Sequence, residues 1–195
     1  MRHAASVEDL RQLHAENSVL RETIVEHIFA GELLRRLWQF GILDTEILKS
    51  EFDNAGYDLV LTCRQITRHI QLKVTRVGGA RSEVNVNLRL AEKPSGCVIW
   101  ISVDDELNLK RYRWFGGKPG QPLLQIANMG AVKHTKGNAQ GTKAVRPGHR
   151  SVKASAFTPI ENLDDLLLHL LGSEILTVAK RGHGHYSEGE NLIGE

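Results

Sequence analysis

His-Ile-Gln-Leu-Lys-Val (69–74), with Gly-Tyr-Asp-Leu-Val-Leu (56–61) shortly before it, decides how this chain is read. Both stretches are rich in aliphatic and β-branched residues and are separated by the polar run 63–68, so each predicts a short strand. Ile70, Leu72 and Val74 alternate with Gln71, Lys73 and Thr75. That period of two sets Gln71 and Lys73 on one face of the strand, opposite the apolar set. A hairpin of this length brings Asp58 alongside. A carboxylate, an amide oxygen and an ammonium group then share the ends of two paired strands, a place to hold a divalent metal and a phosphate.

Outward from the hairpin, residues 7–40 predict helix. Ser6 is a good N-cap, with Glu8 and Asp9 in the first turn to oppose the dipole. The sequence leaves open whether this is one helix or two broken near Asn17-Ser18. Gly41 is a C-terminal stop. Strands are expected over about 42–47, 59–62, 68–75, 97–103 and 112–115. Residues 84–90 alternate as a strand does, yet 88–93 also suits a short helix, and Pro94-Ser95-Gly96 closes either. Residues 131–150, rich in Gly, Lys and His, read as a long loop. A last helix is expected over about 163–171, between the cap-like Asn162 and Gly172, and the tail 181–195 is expected to be disordered.

With 195 residues, 41% hydrophobic and 25% charged, the chain is sized for one domain with a sizeable core. It has no apolar run of membrane-spanning length, and its N-terminus lacks the apolar core of a signal peptide. Two cysteines, Cys63 and Cys97, make neither a disulfide framework nor a zinc site on their own. A cytoplasmic protein with no membrane partner is the expectation. The net charge of +2 conceals an asymmetry: residues 107–160 contain ten Lys and Arg and no Asp or Glu. A single-sign stretch of that kind suits a polyanion, although a solvated basic loop has the same composition.

Hydrolysis of a phosphodiester needs charge neutralised on the non-bridging oxygens and a hydroxide nucleophile; a hard cation held by oxygen donors provides both. Asp58 offers an anionic ligand, Gln71 a neutral oxygen and Leu72 its strand carbonyl. Lys73 is placed to orient water or stabilise developing charge. Taken singly, such an Asp is most often a turn residue and such a Lys an exposed edge residue. On the preceding helix Glu26, Ala30, Leu33 and Leu37 form one stripe, which directs Glu26 toward the sheet. Glu22 extends the stripe by a turn, and Glu32 has Arg36 four residues on as an ion-pair partner.

A helix glutamate, a strand Asp and Gln-x-Lys on the next strand together resemble the PD-(D/E)XK nuclease superfamily, across roughly residues 21–103. The resemblance implies an α/β, restriction-endonuclease-like fold: a mixed central sheet flanked by helices, core order αβββαβ, within a single domain over 1–180. It also implies a Mg²⁺- or Mn²⁺-dependent endonuclease in which Glu26, Asp58, Gln71 and Lys73 are catalytic and Asp58, Gln71 and Leu72 hold the metal. Tyr57 stands at the motif's proline position and Gln71 at that of its second acid. Gln71 favours the alternative of a non-catalytic nucleic-acid-binding module on the same fold; a protein-interaction component of a defence or toxin system is a weaker one.

The nucleic acid, with DNA as the expected polymer, would be gripped by Lys133, Lys136, Lys143, Arg146, Arg150 and Lys153. Two cuts in a duplex need two sites, so a homodimer is expected, with the N-terminal helical segment as one candidate interface. Gly78-Gly79 reads as a turn, His183 and His185 as tail residues, and Trp100 and Trp114 as core.

Overall fold

Eleven residues of uninterrupted strand, Ile66–Arg76, form the centre of the protein in a computed structural model that describes residues 6–52, 55–133 and 144–173. We number the strands β1 Thr45–Lys49, β2 Leu59–Cys63, β3 Ile66–Arg76, β4 Glu83–Asn87, β5 Gly96–Val103, β6 Leu109–Gly116, β7 Ala131–Lys133, β8 Val145–Lys153 and β9 Thr158–Ile160. Six of them make one sheet in the order β1-β2-β3-β5-β6-β9. All its neighbours are antiparallel except β3 and β5, which run parallel, so the sheet is mixed. Strands β4, β8 and β7 form a second, antiparallel sheet.

The helical segment is two helices, α1 Val7–Glu16 and α2 Ser18–Gln39, hinged at Asn17. Ser6 and Asp9 exchange bonds in a capping box at the start of α1, as the sequence suggests. Val25, Phe29, Leu33 and Leu37, four residues apart, bury one stripe of α2 against the six-stranded sheet. Each such side chain contributes roughly 1.5–3 kcal/mol. The last helix, α3 Leu163–Leu171, is capped by Asn162, whose Oδ1 accepts from the Asp165 N–H at 2.9 Å. The structure is thus a mixed α/β fold whose central mixed sheet is flanked by helices, the expected class.

Two details differ from the sequence reading. The crossover from β3 to the parallel β5 runs through β4 and a 3-10 turn, Leu88–Glu92, where the expected order has a second core helix. Both halves of the ambiguous 84–93 pattern are therefore used. Val84 and Val86 are buried in the second sheet, and Pro94 with Gly96 leaves no room for further helical turns. A Cβ at Gly96 would collide with the Leu90 carbonyl oxygen, so glycine is what lets the crossover close onto β5. The expected loop 131–150 is in part strand, β7 and the first half of β8, because Val132 and Val152 supply apolar contacts for a sheet. Lys136, Lys143, the Gly137–Gly141 stretch, the tail 181–195, His183 and His185 lie outside the described residues.

Two cores result. Ile70, Leu72 and Val74 of β3 and Cys97, Ile99 and Ile101 of β5 face the helices. Val98 and Trp100 of β5 face the second sheet with Val84, Val86, Val152 and Phe157. Trp100 and Trp114 are both buried, 1% and 4% exposed, which supports their core reading.

Candidate functional site

β2 pairs with β3 only over residues 66–70 of β3. From Gln71 to Arg76, β3 therefore has β5 on one side and no β2 on the other. The Asp58 carboxylate fills the first vacancy of that ladder: its Oδ2 accepts the Leu72 N–H at 2.6 Å, and the Asp58 N–H donates to the Ile70 carbonyl at 2.8 Å. In a strand the N–H and C=O of one residue leave on the same side. The Leu72 carbonyl accordingly lies on the Asp58 side of β3, so the expected meeting of Asp58 with Leu72 takes place.

The chain can reach this corner because of Gly56. Its φ of +80° is left-handed, and a Cβ there would meet Leu90 N at 3.0 Å and Asn87 Cβ at 3.1 Å. Gln71, on the opposite face of β3 from Leu72, is only 3% exposed, because the second sheet covers it. Its Oε1 accepts the Asn87 N–H at 3.3 Å, and the Asn87 side chain in turn caps the 3-10 turn through the Arg89 N–H. An amide oxygen has two lone pairs, so this long bond does not exhaust Gln71 as an acceptor.

Beyond Asp58 the exposed edge of β3 opens on a cleft of about 510 Å³ lined by Glu22, Leu72, Lys73, Val74 and residues 80–85. The cleft is polar and of mixed charge: Lys73 and Arg81 line it together with Glu22 and Glu83, as do Ser82 and Asn85. Glu22 enters from the first half of α2. Arg81, Ser82 and Asn85 were not singled out in the sequence; the available signal was Gly78-Gly79, a turn that carries the next residues back over the Lys73 strand. Glu26 does face the sheet, 14% exposed, but toward β1: Lys49 Nζ lies 2.8 Å from its Oε1, at ion-pair distance though off the direction of a hydrogen bond. Glu32 has Arg35 at 3.7 Å. Arg36, its expected partner, is forked onto Asp164 of α3 instead.

The candidate oxygen donors are the Asp58 carboxylate and the Leu72 carbonyl on one side of β3 and the Gln71 amide oxygen beneath the second sheet. Among the described residues no group of three His, Cys, Asp or Glu is placed to hold a metal. An all-oxygen set with a single anion fits a hard cation such as Mg²⁺, which keeps several waters and shares substrate phosphates.

His69 shares the Gln71–Lys73 face of β3, with its ring edge-on to Tyr57 at 5.0 Å between centroids. Burial, and then the nearby Lys93, lower its pKa below the ordinary 6.5. Folding therefore favours the neutral ring. This contribution to stability is present above about pH 6.5 and is lost as pH falls through the lower folded value, because the unfolded chain binds the proton first. Between pH 7 and pH 5, urea unfolding of the wild type is expected to lose more stability than that of His69→Gln. Equal losses would mean that the ring is not held neutral by the fold.

No protein-family model matches the chain, and no curated protein matches it. A solved structure of a bacterial homing endonuclease matches 86% of this chain and 96% of its own, at 13% identity and a TM-score of 0.37. Among the described residues no helix is long and apolar enough to cross a membrane.

Proposed function

We propose that the protein is a metal-dependent nuclease that hydrolyses phosphodiester bonds, with DNA as its substrate. The observation that carries this is the β3 edge, where Asp58 is bonded to the Leu72 N–H and Lys73 and Arg81 line a polar cleft. Asp58, the Leu72 carbonyl and the second lone pair of Gln71 would hold Mg²⁺ or Mn²⁺. The bound ion supplies neutralisation of the phosphate oxygens and a more acidic water. Lys73 stabilises negative charge that develops on the phosphate, and Arg81 binds a neighbouring phosphate as a fork. Glu22 is the helix carboxylate we assign to this site, because it lines the cleft and its ion-pair contact, Arg21 at 3.7 Å, is longer than the 2.8 Å between Lys49 and Glu26.

The experiment is cleavage of linear duplex, single-stranded and branched DNA and of RNA, with Mg²⁺ or Mn²⁺ and with EDTA. Cutting of DNA that EDTA abolishes is the expected result. Cutting that survives EDTA would remove the metal from the reading. No cutting of any substrate would move the protein to the second reading, a binding module. One observation favours that second reading: the Gln71 oxygen already serves the Asn87 N–H. Two copies would be needed for paired cuts, so the active species is proposed to be a homodimer.

A further inference from the structure

Strand β8 outruns β4. Its pairing with β4 covers residues 149–153 only, whereas Val145 and Arg146 pair with Lys133 and Val132 of β7. At that end the second sheet narrows to a two-stranded ribbon. Val145, Arg146, Pro147 and Gly148 are all exposed, and so is Lys133. Pro147, Gly148 and His149 stand as extra residues between the partners of Ala131 and Val132, a bulge that bends β8. Arg150 holds this bend: its Nη1 donates to the Pro147 carbonyl at 2.7 Å and to that of His149 at 3.1 Å.

We infer that this ribbon, β7 with the first half of β8, enters the major groove of B-form duplex DNA and reads base edges there. The inference rests on the nucleic-acid part of the proposed function and not on catalysis. Two strands lie about 5 Å apart, and with side chains they fill the groove's width of about 12 Å. The ribbon belongs to the stretch 107–160, which has no Asp or Glu to repel phosphates. Arg146, exposed on the ribbon, offers a planar fork suited to guanine O6 and N7. Lys133 meets backbone phosphate. Arg150 acts as a positioning residue that fixes the bend. The inference selects B-form DNA over an RNA duplex, whose major groove is deep and narrow and cannot be read by side chains.

The test is binding in EDTA, where metal-dependent cutting is silent, to a DNA duplex, the same duplex methylated at guanine N7, and an RNA duplex of the same sequence. The DNA duplex is expected to bind at least about ten-fold tighter than the RNA duplex, and N7 methylation to remove much of that preference. Arg146→Ala is expected to weaken DNA binding about ten-fold, with only part of the loss recovered by Arg146→Lys. Equal binding of DNA and RNA duplexes would overturn the inference. So would indifference to N7 methylation, or full recovery by lysine, since each reduces the ribbon to a generic charge. Absence of cutting in Mg²⁺ with the duplex preference intact would end the nuclease reading and leave the ribbon assignment standing.

Discussion

Lys73→Ala is expected to lower Mg²⁺-dependent cleavage by about 10²–10³-fold, the usual cost of removing one preorganised charge-stabilising donor. Lys73 is adjacent to Leu72, whose N–H is fixed by Asp58, and the strand itself is held by eight register pairs with β5. The ammonium therefore leaves a rigid backbone at a defined place in the cleft, as a positioned charge must. Binding to duplex DNA in EDTA should change by no more than about three-fold, since one phosphate contact among several is lost. A mutant that cuts as fast as wild type would show that Lys73 is an edge lysine and that the reaction centre lies elsewhere. Far-UV circular dichroism of both proteins separates loss of chemistry from loss of fold.

Arg68→Ala is expected to destabilise the fold by about 3–5 kcal/mol, measured by urea unfolding. Arg68 is fully buried. Its Nε donates to the Leu170 carbonyl at 2.7 Å, its Nη2 to that of His169 at 2.7 Å and its Nη1 to that of Gly117 at 3.0 Å. The guanidinium also lies 5.4 Å from the centre of the Trp114 ring. It thus satisfies the last carbonyls of α3 at the negative end of the helix dipole and ties that helix to β3 and to the turn after β6. Burial lowers its pKa, the cost of keeping a cation there. Alanine would leave a cavity and three poorly satisfied carbonyls. Arg68→Met, which refills the space without the donors, should cost less. A loss below about 1 kcal/mol in the alanine variant would show that α3 does not depend on this bond set.

The two sites are carried by one strand. Even-numbered residues of β3 point to the helices, where Arg68 anchors α3 and Ile70, Leu72 and Val74 build the main core. Gln71 and Lys73 point the other way, one beneath the second sheet and one at its open margin. A shift of one residue in the β3–β5 register would exchange these faces and destroy both at once.

The alternation in residues 69–74 was enough by itself to determine a strand with two unlike faces, because a period of two is a local property of extended backbone. Ser6, Asn162 and Gly41 likewise marked helix ends through bonds or backbone angles that span only a few residues. The charge asymmetry of 107–160 needs no fold to be seen. Three things were decided only by tertiary structure. Which helix glutamate meets the cleft depends on how α2 lies across the sheet, and that turned Glu26 toward Lys49 and left Glu22 among the residues lining the cleft. The burial of Gln71 depends on a second sheet whose strands come from residues 83–87 and 131–153, far away in sequence. The ribbon exists because β8 is longer than the β4 it pairs with, a comparison between two strands separated by more than fifty residues. Local bonding fixes each element, but long-range packing decides which faces remain open, and the proposed chemistry lies on those open faces.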